Sequence, residues 1–206
     1  MKNILTDQYL EYLKAQKINA HPTLTIDKNS IQLRSENTSD LHFDIIDKKE
    51  SIVVALGKGS ATYSNLGNKS IEIVDYEDLI NQLPDDCNKD IKRADFILYH
   101  KDGATFFIVN ELSQSSNVRN KRKKAISQLH NTVFHLMQCP ETNEFINKFG
   151  AKICIFSNKE RLIKTLDNPA LAFEKIKEYL PDPISIKFSP ITKLGFEAIE
   201  TATFEV

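Results

Sequence analysis

Two apolar runs separated by a short polar turn decide the fold: residues 94–112 read ADFILYHKDGATFFIVNEL. The runs are rich in Phe, Ile, Val and Tyr, which favour β-strands, and the polar residues between them are typical of a hairpin turn. Each run also carries an acidic residue near one end, Asp95 in the first and Glu111 in the second. We therefore expect an antiparallel hairpin in which two carboxylates approach each other.

The register of this hairpin decides whether the two carboxylates share a face. If residues 101–103 form a three-residue loop, Glu111 lies diagonal to Asp95 on the same face, with roughly 5–8 Å between Cβ atoms. A two-residue loop at 102–103 would instead place them on opposite faces, because side chains alternate between faces along a strand. The sequence leaves both registers open, and a shared site requires the first.

The flanking residues predict an α/β (α+β) domain of three layers, with a central mixed sheet flanked by helices. Spacing of apolar residues predicts helices over residues 4–16, 77–83, 117–138 and 168–180, and strands over residues 71–74, 151–156 and, as one or two edge strands, 184–206. Asp75 is the expected N-cap of the second helix.

The N-terminal third is predicted to be a helix followed by a small antiparallel β-meander. Short β-type runs alternate with polar turns, at residues 24–26, 31–33, 41–46 and 52–56. We expect residues 1–60 to form this N-terminal element and residues 61–206 to form the α/β core, with the two packed as one compact unit.

Composition limits the class of protein. A chain of 206 residues that is 41% hydrophobic suits a globular domain, and it contains no apolar run long enough to cross a bilayer. The first residues have no signal-peptide pattern. Three scattered cysteines do not make a disulfide framework, so we expect a cytoplasmic protein with no membrane partner.

Charge is segregated along the chain although the formal net charge is only −1. Cations at a helix N-terminus oppose the helix dipole at a cost of roughly 0.3–1 kcal/mol each, and a bound polyanion would relieve that cost. We therefore expect the basic residues at the start of the helix over 117–138 to contact nucleic-acid phosphates, with a solvated helix face as the structural alternative. These residues are Arg119, Lys121, Arg122, Lys123 and Lys124.

The two carboxylates of the hairpin offer hard oxygen ligands, which suit Mg²⁺ or Mn²⁺. A metal held there could neutralise charge on a phosphodiester as it is cleaved. The structural alternatives are that Asp95 caps a turn or pairs with Arg93, and that Glu111 is a solvated strand end.

The order of these features resembles the core of the PD-(D/E)xK nuclease superfamily, which has a restriction-endonuclease-like fold. The resemblance rests on Asp95 in one strand, Glu111 followed by Leu112 and Ser113 at the end of the next, and Gln128 on the helix after them. It implies a Mg²⁺- or Mn²⁺-dependent hydrolase that cleaves nucleic acid, with DNA preferred to RNA as the expected substrate. A homodimer or a protein partner is compatible with such an activity.

The resemblance also implies roles for particular residues. Asp95 and Glu111 would be metal ligands and the backbone carbonyl of Leu112 a third. Gln128 would lie near the site, and Glu77 would be the accessory acid that some members place on an earlier helix.

The sequence departs from the family pattern at two positions. Ala94 replaces the proline, and Ser113 replaces the lysine that is thought to orient the attacking water. In some members the helix supplies this cation, which here would be Lys121 or Lys124. The alternatives are a catalytically inactive module of the same fold that binds nucleic acid or protein, and an unrelated α/β domain whose charged segments mediate assembly. The last predicts Asp95 and Glu111 on opposite faces.

Overall fold

The chain folds around two mixed β-sheets, seen in a computed structural model that describes residues 1–17, 19–48, 50–89, 91–113, 118–158 and 183–206. The helix predicted over residues 168–180 lies outside these ranges. The strands, numbered in chain order, are β1 (Ser35–Thr38), β2 (His42–Ile45), β3 (Val53–Val54), β4 (Ala61–Ser64), β5 (Ile71–Asp75), β6 (Phe96–His100), β7 (Phe106–Ser113), β8 (Ala151–Asn158), β9 (Ile184–Ser185), β10 (Glu197–Glu200) and β11 (Thr203–Glu205).

The helices predicted over residues 4–16, 77–83 and 117–138 are present with small shifts in their ends, whereas the helices over residues 85–88, 140–146 and 189–193 were not predicted. A π-helix (Ile4–Tyr9) continues into α1 (Leu10–Lys17), and the others are α2 (Tyr76–Asn81), α3 (Asp85–Asn88), α4 (Val118–Gln138), α5 (Pro140–Ile146) and α6 (Ser189–Lys193). The carboxylate of Asp75 accepts a hydrogen bond from the Asp78 N–H at 2.9 Å, which confirms Asp75 as the N-cap of α2. A buried hydrogen bond of 2.6 Å between the hydroxyls of Tyr9 and Tyr76 joins the N-terminal helix to α2.

The larger sheet has seven strands in the order β1-β5-β6-β7-β8-β10-β9. Strands β5, β6 and β7 are antiparallel neighbours, whereas β8 is parallel to both β7 and β10. A parallel neighbour needs a crossover connection, and α4 lies within the one that leads from β7 to β8. The prediction that the C-terminal residues form edge strands is wrong for β10, which lies between β8 and β9.

The β6–β7 hairpin places the two acidic residues on one face. The ladder pairs Phe96 with Asn110, so that Asp95, one residue earlier, is directly opposite Glu111. The connection comprises residues 101–105, longer than either loop considered from the sequence, so Glu111 lies directly opposite Asp95 rather than diagonal to it. Its length is odd, like that of the three-residue loop, and this parity places both carboxylates on one face.

One face of the larger sheet packs against helices. Ile97, Val109 and Cys154 of the sheet share an apolar core with Leu129 and Val133 of α4. Asp95 and Glu111 have the same parity as Ile97 and Val109, so they lie on this helix-covered face.

The other face packs against the second sheet. Phe96, Leu98 and Ile108 share a second apolar core with Phe43 and Tyr63 of the small sheet. Three layers are present as predicted. In the described part of the chain, however, the layer on this face is a sheet rather than helices, because the apolar faces of β2 and β4 bury themselves there.

The small sheet has four strands in the order β11-β4-β2-β3. It is not the predicted meander, because β4 pairs with β2 rather than β3 and β11 joins from the C-terminus. The expected division between residues 60 and 61 falls between β3 and β4, so both sides of it contribute strands to this sheet. Residues 24–26 and 31–33, predicted as β-type runs, contain no strand.

Two further properties concern the membrane and cysteine predictions. No helix within the described ranges is long and apolar enough to span a bilayer. Cys87, Cys139 and Cys154 are free thiols in the interior.

The small sheet depends on one buried carboxylate. Asp44 is fully buried and accepts hydrogen bonds from the N–H groups of Gly57 at 2.9 Å and Gly59 at 2.8 Å, and from Thr62 Oγ1 at 2.7 Å. We expect Asp44→Ala to lower the free energy of unfolding by about 3 kcal/mol, because it leaves buried donors without an acceptor. Urea denaturation measures this, and Asp40→Ala at an exposed position is the control, with an expected change within about 0.5 kcal/mol. Equal effects of the two substitutions would contradict the assignment.

Candidate functional site

The candidate site lies at one edge of the larger sheet, where Asp95 precedes β6 and Glu111 approaches the end of β7. Asp95 is 8% exposed and Glu111 is 7% exposed. Carboxylates are rarely so buried unless they are paired with another group or bound to a ligand. The solvated strand end considered for Glu111 is wrong.

Helix α4 holds both strands at this point. The amide nitrogen of Gln128 donates to the carboxylate of Glu111 at 3.2 Å and to the backbone carbonyl of Arg93 at 2.7 Å. One turn further along α4, Thr132 Oγ1 accepts the N–H of Ala94 at 2.8 Å. Residues 93–94 and Glu111 are therefore tied to the same helical face.

Asp95 is fixed by the backbone on two sides. Its carboxylate accepts a 2.6 Å hydrogen bond from the N–H of Leu112, and its carbonyl accepts the N–H groups of Tyr76 and Glu77 at the start of α2. Arg93, the alternative partner considered for Asp95, instead donates to the carbonyls of Asn88 and Ile91.

The two carboxylates repel each other inside the protein. Burial raises the pKa of Glu111 far above its ordinary value, and the charges of Asp95 and Glu77 raise it further, while Lys124 and the Gln128 amide lower it. Burial likewise raises the pKa of Asp95, the hydrogen bond from Leu112 opposes this effect, and Glu77 adds to it. The pair therefore favours holding a proton or a cation near neutral pH.

A neutral oxygen atom on α4 is a further possible metal ligand. Gln128 Oε1 is buried and has no hydrogen-bond partner among the described residues. Its orientation follows from the two acceptors that its nitrogen contacts. Together with Asp95 and Glu111 it makes a set of oxygen donors, which is the chemistry that Mg²⁺ and Mn²⁺ prefer. Within the described ranges, however, no three His, Cys, Asp or Glu side chains are grouped closely enough to hold a metal, so Glu77 acts on the pair from a distance.

Two further acids flank the pair along the same edge of the sheet. Asp75, at the end of β5, forms an ion pair with Arg34 at 3.0 Å. Glu200, at the end of β10, forms one with Arg122 at 3.0 Å, and it is separated from Glu111 by β8. Sequence reasoning missed these pairs, because their partners are far apart along the chain.

In contrast, the described residues place no arginine or lysine within ion-pair distance of Asp95 or Glu111. Within the described ranges, therefore, Asp75 and Glu200 each contact an arginine, whereas Asp95 and Glu111 contact neither arginine nor lysine.

The predicted basic residues fall into different environments. Lys121, Lys123 and Lys124 are exposed, whereas Arg122 is half-buried against Glu200. Arg119 belongs to α4, but its side chain lies outside the described part of the structure.

Of the two lysines proposed as substitutes for the missing cation, Lys124 has the better position. It lies three residues, or about one helical turn, before Ser127 and four before Gln128, on the flank that approaches Glu111. It is also close enough to lower the pKa of Glu111. Ser113 lies two residues after Glu111 on the same face of β7, where the resemblance to PD-(D/E)xK nucleases would lead one to expect a lysine.

Comparison of this chain with protein-family models, with curated proteins and with solved structures gives no match.

The repulsion between the carboxylates predicts an unusual dependence of stability on pH. A carboxyl group whose pKa is higher in the folded than in the unfolded state contributes stability below the unfolded pKa and loses it as pH rises. In metal-free buffer the free energy of unfolding should therefore fall as pH rises from about 4 toward 8, with a slope of at most about 1.4 kcal/mol per pH unit for a proton that the folded pair shares. Glu111→Gln removes the charge and keeps an acceptor for Gln128, so its advantage over the parent protein should grow toward pH 8.

Urea titrations at several pH values in the presence of EDTA measure this difference. Glu197→Gln, at an exposed position on β10, is the matched control and should follow the parent curve. Parallel curves for the parent protein and Glu111→Gln over the whole range would refute the proposed repulsion.

Proposed function

We propose that this protein is a divalent-metal-dependent phosphodiesterase that cleaves nucleic acid, with DNA as the expected substrate. The observation that carries the proposal is the buried pair Asp95 and Glu111, directly opposite each other and without a contacting lysine or arginine in the described residues. Burying two like charges side by side is costly unless a proton or a cation is shared between them. A divalent cation would offset that cost.

The strand order supports a restriction-endonuclease-like core. Antiparallel β5, β6 and β7 are followed by α4 and then by β8, parallel to β7. The expected acidic residues lie beside β6 and in β7, and the expected glutamine lies on α4, in the order that the resemblance to PD-(D/E)xK nucleases implies. The alternative of an unrelated α/β domain that mediates assembly predicted Asp95 and Glu111 on opposite faces. The register of the hairpin contradicts that predicted placement.

In the proposed mechanism, Asp95 and Glu111 would hold Mg²⁺ or Mn²⁺, together with neutral oxygens from Gln128 and the backbone of Leu112. When bound, the metal would supply a Lewis acid that neutralises charge on the phosphodiester during cleavage. Lys124 provides a positive charge on the same side as Glu111, where it can stabilise the phosphate. The N–H of Leu112 keeps the Asp95 carboxylate in place.

Ser113 favours a second candidate function, a module of the same fold that binds nucleic acid without cleaving it. A serine hydroxyl cannot supply the charge of a lysine. Such a module would keep the fold, the metal site and the phosphate contacts, and it would lose only the cleavage of the phosphodiester.

Metal binding and cleavage test the proposal with two charge-removing variants. Mn²⁺ should raise the melting temperature of the parent protein at pH 8, because it relieves the repulsion between the carboxylates. Asp95→Asn and Glu111→Gln keep hydrogen-bond acceptors but should lose this shift. Cleavage of labelled DNA with Mg²⁺ or Mn²⁺ should fall by about 100-fold or more in both variants.

Asp86→Asn is the control, since Asp86 is exposed on α3. Cleavage at the parental rate by both site variants would refute the proposal that Asp95 and Glu111 form the site of a phosphodiesterase. A Mn²⁺ shift that both variants lose, with binding of DNA or RNA but no cleavage by the parent protein, would favour the binding module instead.

A further inference from the structure

A lysine outside the predicted basic run lies against α4. Lys92, in the segment that leads into β6, is exposed and donates from Nζ to the hydroxyl of Ser127 at 3.3 Å. Ser127 directly precedes Gln128, whose amide contacts Glu111. The ammonium group of Lys92 is therefore held at the turn of α4 that borders the paired carboxylates.

Two more lysines approach the same turn. Lys123 and Lys124 lie four and three residues before Ser127, and side chains at these spacings are neighbours on a helix surface. Both are exposed. We call Lys92, Lys123 and Lys124 the lysine cluster.

The lysine cluster has no neutralising acid in the structure. In the part of the chain that the structure describes, no carboxylate lies within ion-pair distance of Lys92, Lys123 or Lys124. Lys89 and Lys148, in contrast, pair with Asp85 and Glu144 at 3.3 Å. Uncompensated ammonium groups drawn from two separate segments form a local positive potential, although the protein as a whole has a net charge of −1.

We propose that the lysine cluster binds a backbone phosphate of a nucleic acid, next to the phosphodiester that faces Asp95 and Glu111. Lysine ammonium groups bind phosphate as point charges, without the fixed fork of arginine, so the contact would be independent of sequence. This inference rests on the proposed function, since it names how the same site holds its substrate. It also adds Lys92, which the sequence pattern does not single out.

Arg122 does not belong to the proposed phosphate contacts. Its guanidinium already faces the buried carboxylate of Glu200 at 3.0 Å, and it is half-buried. Arg122 is therefore assigned to holding α4 against β10, and the phosphate contacts to its exposed lysine neighbours.

Binding measured without metal tests the lysine cluster independently of cleavage. Fluorescence anisotropy of a short labelled DNA duplex in EDTA, between about 50 and 200 mM NaCl, gives the slope of log K against log salt. Lys92→Gln and Lys123→Gln should each weaken binding at low salt and reduce the magnitude of the slope by about 0.9, and the double variant by about twice that. A single-stranded RNA of similar length should show the same ranking with a smaller change per contact, about 0.7.

Three controls separate a phosphate contact from structural or diffuse effects. Lys58→Gln makes the same change at an exposed position in the loop between β3 and β4 and should keep the parental slope. Lys92→Arg keeps the charge, and Ser127→Ala removes only the hydrogen bond, so both should also keep it. The inference is overturned if Lys92→Gln and Lys123→Gln bind like the parent protein, or if Lys58→Gln loses as much as they do. Because no metal is present, these results do not depend on whether the carboxylates support cleavage.

Discussion

The amide of Gln128 makes the contact on which the geometry of the site depends. It joins the carbonyl of Arg93, just before β6, to the carboxylate of Glu111 in β7. Without a helix to hold them, two buried carboxylates facing each other would separate or turn toward water. Thr132 adds a second hydrogen bond to the same segment, at Ala94. Helix α4 therefore holds the two carboxylates close together despite their repulsion, and the register of the hairpin places them opposite each other.

Such an arrangement stores unfavourable electrostatic energy in the folded protein. Functional sites commonly contain groups whose surroundings are not optimised for stability, and a strongly raised carboxyl pKa in a fixed geometry is one sign of this. The ion pairs at the two ends of the edge show that the same sheet can neutralise its acids: Asp75 has Arg34, and Glu200 has Arg122. Position at the sheet edge therefore does not explain why the inner pair has no contacting cation in the described residues. The divalent metal that we propose would supply that positive charge.

Local sequence pattern was enough to predict the hairpin and the long helix, but it left open whether Asp95 and Glu111 share a face. Apolar runs, turn residues and the helical period of α4 are properties of neighbouring residues. Whether the hairpin loop has an odd or an even number of residues decides the shared face, and the sequence pattern left that open. The hairpin loop is longer than either length considered from the sequence because residues 104–105 continue the turn, where Thr105 Oγ1 lies 3.0 Å from His100 Nδ1. The five-residue loop is odd, like the three-residue alternative, so it places the two carboxylates on one face.

The remaining features depend on contacts between distant segments, which a single sequence does not encode locally. The pairing of β4 with β2, the C-terminal strand β11 and the contact of Arg122 with Glu200 all join residues far apart along the chain. The basic run shows the consequence most clearly, because five basic residues in sequence look equivalent until the fold separates them. Burial against β10 gives Arg122 a structural partner, whereas Lys123 and Lys124 stay exposed and Lys92 joins them from another segment. The electrostatic site is thus set by which charges the fold leaves uncompensated, rather than by which charges are adjacent in sequence.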